Sequence, residues 1–315
     1  MRPPTEVAGY ALTSEQPRNS KGVVDDGLRL MSFNIRNSGA ADGVNAWPNR
    51  RTIALEVIKD CGADLIGFQE VLADQHDELE VALTGYSFAG VARDDGHRSG
   101  EWSLIAYRHD RFQRIHGGNF WLSQNPDHPA RGWDAAHVRI CSWIKLYDTY
   151  ARRLFLYANT HWDHQGVLAR KESALLMKQK LSELAAGIPV LMTGDFNAYE
   201  TDESVQLLLR PEPGQVHLID SYRQVHPVRH PHENTVHFFE AGTDGQRIDF
   251  VLHSPELIAV AARIIRTRAS DGTYPTDHFP VSVSLKWTES CHDRAPSEYP
   301  SITSTRFTND SITTG

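Results

Sequence analysis

Apolar residues recur through the middle of the chain with two different periods. Short apolar runs bounded by Gly, Pro, Asn or Asp predict buried strands: "LRLMSFNIR", "DLIGFQEV", "EWSLIAYR", "VRICSWIKLYD", "RRLFLYANTHWD", "PVLMTGDFN", "RIDFVLHS", "ARIIRTRA" and "PVSVSLKW". A segment opening at Pro48 and closing before Gly62 predicts a helix, with proline at its start and glycine at its stop. "ADQHDELEVALTG" predicts a second helix, stopped by Gly85. "GVLARKESALLMKQKLSELAAG" predicts the longest, with Val167, Leu168, Leu175, Leu176 and Leu184 among its apolar positions. The runs "EWSLIAYR", "VRICSWIKLYD" and "RRLFLYANTHWD" follow one another with little helix between them, which predicts an antiparallel meander. Interspersed strands and helices of this kind predict an α/β fold, with two sheets face to face and helices outside, in one domain over residues 28–287. Residues 1–27 and 288–315 are rich in Ser, Thr, Pro and Asp and lack periodic apolar positions, so they read as flexible tails.

Composition narrows the partners. Across 315 residues, 40 acidic against 32 basic side chains give a net charge of −8. That balance disfavours a broad nucleic-acid-binding surface, which rests on phosphate neutralisation, although a local basic groove stays compatible with it. No apolar stretch approaches the length of a membrane span, and the N-terminus shows no secretory signal. Cys61, Cys141 and Cys291 are isolated and lack CxxC spacing, as expected of reduced thiols. The expectation is a cytoplasmic monomer.

Polar residues with chemical potential collect at the ends of the predicted strands. "MSFNIR" ends on Asn34 and "LIGFQEV" carries Glu70, while "YANTHWDH" offers His161, Asp163 and His164. "LMTGDFN" gives Asp195 and Asn197, "GQRIDFVL" gives Asp249, and "YPTDHFPVSVSL" gives Asp277 and His278. Strand alternation would point Asp195 and Asn197 the same way. Any one of these residues alone reads as a turn-former or a hydrogen-bonded structural group.

In this order, the set resembles the endonuclease/exonuclease/phosphatase superfamily, the fold of pancreatic deoxyribonuclease and the apurinic-site endonucleases. The resemblance covers residues 28–287; its most specific motifs are "GDFN" and the terminal "TDH", where Ser-Asp-His is the commoner form. It implies a four-layered α/β sandwich of two mostly antiparallel sheets flanked by helices, with the active site where the strand ends of the two sheets meet. It also implies a phosphoesterase dependent on Mg²⁺ or Mn²⁺, cations suited to hard oxygen ligands. On this resemblance Glu70 is the principal metal ligand, Asn34 orients that site and Asp277 lies beside the metal. Asp195 positions or deprotonates the attacking water, Asn197 holds the phosphate, and Asp249 orients His278. Alignment with the deoxyribonuclease pattern pairs Glu101 with His161, unless Glu101 is a solvated loop residue.

Two other readings stand beside this one. "NTHWDH" matches the zinc motif of metallo-β-lactamase-like hydrolases at all but its first histidine, which is Asn159, and His226, His230, His232 and His237 follow nearby. A catalytically inactive binding protein on the same fold is the other. For the substrate, "GQRIDFVL" lacks the Trp-Cys-Asp-Arg segment of inositol-polyphosphate phosphatases. Trp121, Trp133, Arg131, Arg139 and His237 are candidates to contact a substrate beyond the phosphate. The expectation is a small, non-polymeric phosphoester, with a DNA or RNA nuclease as the alternative.

Overall fold

The computed structural model describes residues 27–288. The stretches read as tails therefore lie outside the described residues, except for Gly27 and Thr288. The elements run β1 (Leu28–Asn34), α1 (Trp47–Cys61), β2 (Leu65–Val71), α2 (Ala73–Ala82), β3 (Tyr86–Ala89), β4 (Trp102–Arg108), β5 (Phe112–Trp121), β6 (Ile140–Asp148) and β7 (Arg153–His161). They continue with α3 (Val167–Ala185), β8 (Val190–Asp195), α4 (Glu203–Leu209), β9 (Ile219–Asp220), α5 (Ser221–Val225), β10 (Asp249–His253), β11 (Leu257–Ile264) and β12 (Val281–Trp287).

Among the described residues the strands form two six-stranded sheets, ordered β11-β12-β1-β2-β4-β3 and β5-β6-β7-β8-β10-β9. The pairs β1–β2 and β7–β8 are parallel and the remaining pairs antiparallel. One core lies between the sheets, built from residues such as Leu30, Leu65, Tyr157, Leu191, Val251 and Val283. A second seals α1 and α2 against the outer face of the first sheet, and a third seals α3 and α4 against the second. This is the four-layered α/β sandwich expected.

Several local expectations change. The predicted meander is divided, because β4 belongs to the first sheet while β6 and β7 pair in the second. The strand near "ARIIRTRA" ends at Ile264 and begins earlier, at Leu257. In α3, Val167, Leu168 and Leu175 are exposed; the buried face carries Ala169, Ala174, Met177, Leu181 and Ala185. Small residues there let the helix lie close to the sheet. Lys178 is buried on the same face because its ammonium reaches the carbonyls of Leu207 at 3.3 Å and Arg210 at 2.5 Å. At Pro48 and Gly62 the sequence pattern holds: Pro48 sits in the first turn of α1, and Gly62 caps it in the left-handed region at φ 57°.

A buried polar seam crosses between the sheets directly behind the strand ends. Asn159 of β7 donates to the carbonyls of Phe68 at 2.7 Å and Leu104 at 3.0 Å in the opposite sheet. Gln69 Nε2 and Thr193 Oγ1 donate in turn to Asn159 Oδ1, at 2.7 and 3.0 Å. Gly67 makes the crossing possible: a Cβ there would stand 1.9 Å from Thr193 Oγ1. The seam fixes β2 against β7 and β8, the three strands that carry Glu70, His161 and Asp195 at or next to their ends.

Candidate active site

The strand ends of the two sheets open onto a cleft of about 590 Å³. On the side of the first sheet, Asn34 is the last residue of β1 and is buried. Its Nδ2 donates to Glu70 Oε1 at 3.1 Å and to Asp195 Oδ2 at 3.0 Å, and its Oδ1 accepts from the Arg36 N–H at 3.0 Å. Both ends of the amide are occupied, so Asn34 orients its neighbours. Glu70 has a φ of 63° where the β2–β4 register slips between Phe68 and Val71. Such a bulge re-aims a side chain, and left-handed backbone at a non-glycine residue is a known form of strain at functional sites. Glu70 Oε2 accepts from the Asn37 backbone N–H at 3.1 Å and from its Nδ2 at 3.0 Å. Burial raises the Glu70 pKa, but the bond from Asn34 and the nearby His278 and Arg36 charges hold it below the ordinary value.

Asp277 faces the same cleft, its carboxylate 3.8 Å from Arg36 Nε. Buried Arg50 braces the loops that carry Asn34 and Asp277. Its Nη1 donates to the carbonyls of Ile35 at 2.5 Å and Pro275 at 3.0 Å, and its Nη2 to that of Arg36 at 2.7 Å.

On the side of the second sheet, β8 ends on Asp195, which is paired in register with His161 of β7 and Asp249 of β10. Asn197 does not continue that strand. It turns into the left-handed region at φ 45°, and its backbone N–H donates to Asp195 Oδ1 at 2.9 Å. The two side chains are brought together by this Asp-centred turn, and strand alternation plays no part. Asn197 Nδ2 donates to the Trp162 carbonyl at 3.1 Å and to His161 Nε2 at 2.9 Å.

Asp249 Oδ2 lies 3.0 Å from His278 Nδ1, and His278 Nε2 lies 3.8 Å from Asp195 Oδ2. Burial lowers the His278 pKa, but the carboxylates of Asp249, Asp195 and Asp277 overcome it, so the ring is held charged. Burial, followed by the charge of Asp249, pushes the Asp195 carboxyl up to about 7. His161 is driven the other way, by burial and by Arg139 and Arg93. It is a neutral imidazole whose Nε2 accepts from Asn197, which leaves the proton on Nδ1.

Glu101 immediately precedes β4 and lines the cleft, but its Oε2 takes a 2.5 Å bond from Arg93 Nη1. His161 Nδ1 is 3.8 Å away, within ion-pair range and beyond a hydrogen bond. Glu101 and His161 are thus brought together as expected, at ion-pair distance, and Asn197 supplies the hydrogen bond that orients the imidazole. Arg139 is buried in the cleft wall, with Nε 3.3 Å from Asp163 Oδ2 and Nη2 3.2 Å from His164 Nδ1. Its Nη1, Arg93 Nε and His161 Nδ1 are buried without a hydrogen-bond partner. Arg36, Arg93 and Arg170 also face the cleft. Sequence reading missed these three, because Arg36 and Arg93 in loops and Arg170 in the first turn of α3 carry no periodic or motif signal.

Two predicted substrate contacts lie elsewhere. His237 is stacked on Phe279 with ring centroids 4.0 Å apart, which turns the ring into the packing and away from the cleft lining. Trp133 likewise does not line the cleft. Trp121 is buried and braces the Arg93 loop through a 2.7 Å bond from Nε1 to the Arg93 carbonyl; Arg131 is exposed. The zinc reading loses its ligands. Asn159 is committed to the inter-sheet seam, and Asp163 accepts from the backbone of His137, Gln165 and Gly166 as well as from Arg139. Among the described residues, no three metal-ligating groups converge on that segment or on the histidine-rich loop after it.

Asp195, Asp249 and His278 do converge within 4.8 Å. Asp249 and His278 bond to each other, however, and a charged imidazole does not ligate. A divalent cation fits better at Glu70 and Asp277. Both line the cleft and present the hard carboxylate oxygens such a cation takes, and burial and the Glu70 charge raise the Asp277 pKa against the opposing charges of His278 and Arg36.

Carboxylates and cationic groups gathered at the strand ends of a two-sheet sandwich define a hydrolase of anionic esters. The profile of the endonuclease/exonuclease/phosphatase family matches residues 31–278, and the chain belongs to that family, whose members are metal-dependent phosphoesterases. A solved family structure from Bacteroides vulgatus is 33% identical, with 83% of this chain and 99% of that chain covered and a TM-score of 0.77. The mannosyl-6-phosphatase of Bacteroides thetaiotaomicron is 34% identical, with 82% of this chain and 100% of that chain covered and a TM-score of 0.75. Among curated proteins, one from Acanthamoeba polyphaga mimivirus is 26% identical over 167 residues; the match spans 49% of this chain and 60% of that relative. Among the described residues, no helix is long and apolar enough to cross a membrane.

Proposed function

We propose that this protein is a phosphomonoesterase acting on a small sugar phosphate, with Mg²⁺ or Mn²⁺ as cofactor. The carrying observation is the cleft's division of labour. Asp195, with a pKa of about 7, stands beside the charged His278, while Arg139 and His161 line the same cleft. Likeness to a mannosyl-6-phosphatase over nearly the whole described chain supports the sugar-phosphate assignment.

In this reading, Asp195 accepts the proton of the attacking water, and a base whose pKa lies near the working pH suits that task. The turn at Asn197 fixes the carboxylate through its backbone N–H, and Asn34 fixes the other oxygen. Arg139 and His161, which line the cleft, bind the phosphoryl group. The notion that Asn197 holds the phosphate directly fits less well, since its amide protons already serve His161 and the Trp162 carbonyl. His278, kept charged by Asp249, offsets negative charge gathering beside Asp195. A divalent cation held by Glu70 and Asp277 would neutralise phosphoryl charge and assist the leaving oxygen. The buried free thiols of Cys61 and Cys141 suit a reducing, cytoplasmic setting.

The test is phosphate release from a panel of hexose phosphates, nucleotides, an aryl phosphodiester, RNA and DNA, each with Mg²⁺. Hexose phosphates are expected to show the highest kcat/KM. Faster turnover of the diester or of either polymer would replace this reading with a phosphodiesterase or nuclease.

A further inference from the structure

The strand order of the second sheet divides the cleft into two unlike sides. β7 lies on one side of β8 and β10 on the other, with Asp195 between them. The β6–β7 side carries Arg139, His161 and His164, joined by Arg93 and Arg170. Every apolar side chain lining the cleft lies on the β10 side: Ala198, Tyr199, Val236, Phe238 and Ile248. Their segments are tied to β10 and to the loop of His278: the Phe196 N–H donates to the Ile248 carbonyl at 2.8 Å, and Val236 bridges to His278.

Phe238 stands out on this side. It is 69% exposed, while His237 before it stacks on Phe279 and Phe239 after it lies 6.0 Å from the Arg50 guanidinium. The backbone is left-handed at Phe238, Phe239 and Ala241, with φ of 48°, 64° and 62°. Bulky residues seldom adopt that conformation, so the loop holds its neighbours inward at some strain and leaves this one ring in the cleft. Tyr199 is 44% exposed on the same side.

We infer that Phe238 and Tyr199 form the subsite for the ring of the leaving group, taking the C–H-rich face of a pyranose whose phosphate lies toward Arg139 and His161. The inference rests on the phosphomonoesterase reading and adds where the rest of the substrate goes. An exposed aromatic face beside a polar reaction centre suits a ligand with one apolar face and one anionic end. A polynucleotide fits poorly on this side, since its next phosphate would need a cation. The nearby Arg247 is buried and bound to Glu200 and Asp220.

The experiment compares kcat/KM for a hexose 6-phosphate and for glycerol 3-phosphate, which has a phosphomonoester but no ring, in wild type and in Phe238→Ala, Phe238→Leu and Phe238→Trp. The hexose-to-glycerol ratio should fall roughly 3- to 10-fold in Phe238→Ala, the size of one aromatic contact. It should fall also in Phe238→Leu, which keeps apolar bulk without a flat face, and survive in Phe238→Trp. Tyr199→Ala should lower the same ratio. An unchanged ratio in both Phe238→Ala and Phe238→Leu would overturn the subsite while leaving the phosphomonoesterase reading standing. Should Phe238→Ala fail to fold, the Leu-to-Trp comparison decides alone. If wild type releases phosphate from neither compound, the parent reading falls and the subsite with it.

Discussion

The two sheets contribute opposite kinds of chemistry to one cleft. The first supplies Glu70 and Asp277, oxygen donors held by an amide, by backbone N–H groups and by the loops that Arg50 braces. The second supplies Asp195, His161 and Asp249, in register on adjacent strands, together with the buried guanidinium of Arg139. Two groups cross between the sets. Asn34 bonds a carboxylate in each, and His278, just before β12, bonds Asp249 at the start of β10. The difference teaches that the oxygen donors and the Asp-His cluster are mounted on separate frames, registered by a few hydrogen bonds and by the polar seam behind them.

Removing the cation should break the first set completely. EDTA is expected to reduce phosphate release to background, with recovery on adding Mg²⁺ or Mn²⁺; full activity in EDTA would mean the carboxylates of the first sheet serve something else. A sharper variant is Asn34→Ala, which leaves Glu70 in place but frees it. Loss of a group that orients a ligand typically costs about 10–100-fold in metal affinity, readable as a rightward shift of the Mg²⁺ activation curve.

Asp195→Asn attacks the second set. A positioned general base contributes roughly 10²–10⁴-fold, so kcat should fall on that order with the Mg²⁺ curve unmoved. In wild type, kcat/KM should decline as pH drops below about 7, where the Asp195 carboxyl takes up its proton. Stability runs the opposite way. A carboxyl whose folded pKa is raised stabilises the fold below its ordinary value, and that contribution is lost as pH rises through about 7. Asp195→Asn should therefore melt higher than wild type at pH 8 and near it at pH 4. A lower melting temperature at pH 8 would make Asp195 a structural residue.

The bonds across the two sets are tested by Asp249→Asn and His278→Ala. If they form one unit, each alone should cost about as much kcat as both together, on the order of 10²–10³. Multiplying losses would separate them.

The smallest expected effect is at Arg139→Met. Removing one charged donor to a phosphoryl oxygen should raise KM, and the inhibition constant for inorganic phosphate, by about tenfold or more, with a lesser change in kcat. An unchanged phosphate inhibition constant would turn Arg139 into a brace for Asp163 and His164.

Most of the layered fold could be read from apolar periodicity, because a strand buried on both faces or a helix with a defined stop leaves a local trace. Asn34, Glu70, Asp195, Asn197, Asp249, Asp277 and His278 could be located because each ends or borders such a strand. Cleft-lining Arg93 and Arg170 could not, nor could the placement of His237, because the direction of a loop or helix-end side chain depends on neighbours distant in sequence. The buried face of α3 escaped for a related reason: several of its leucines are apolar but turned outward, while Ala169, Ala174 and Ala185 share the buried face with Met177 and Leu181.

By itself, then, the sequence determined which residues stand at the strand ends, since hydrophobic runs and turn-formers act within a few positions of themselves. Tertiary structure decided which of them touch. The Asp249–His278 bond, the choice of Asn197 over Glu101 as hydrogen-bond partner of His161, and the division of the cleft into cationic and aromatic sides all follow from strand order. Pairing across sheets depends on long-range registration, and chain-local pattern carries no record of it.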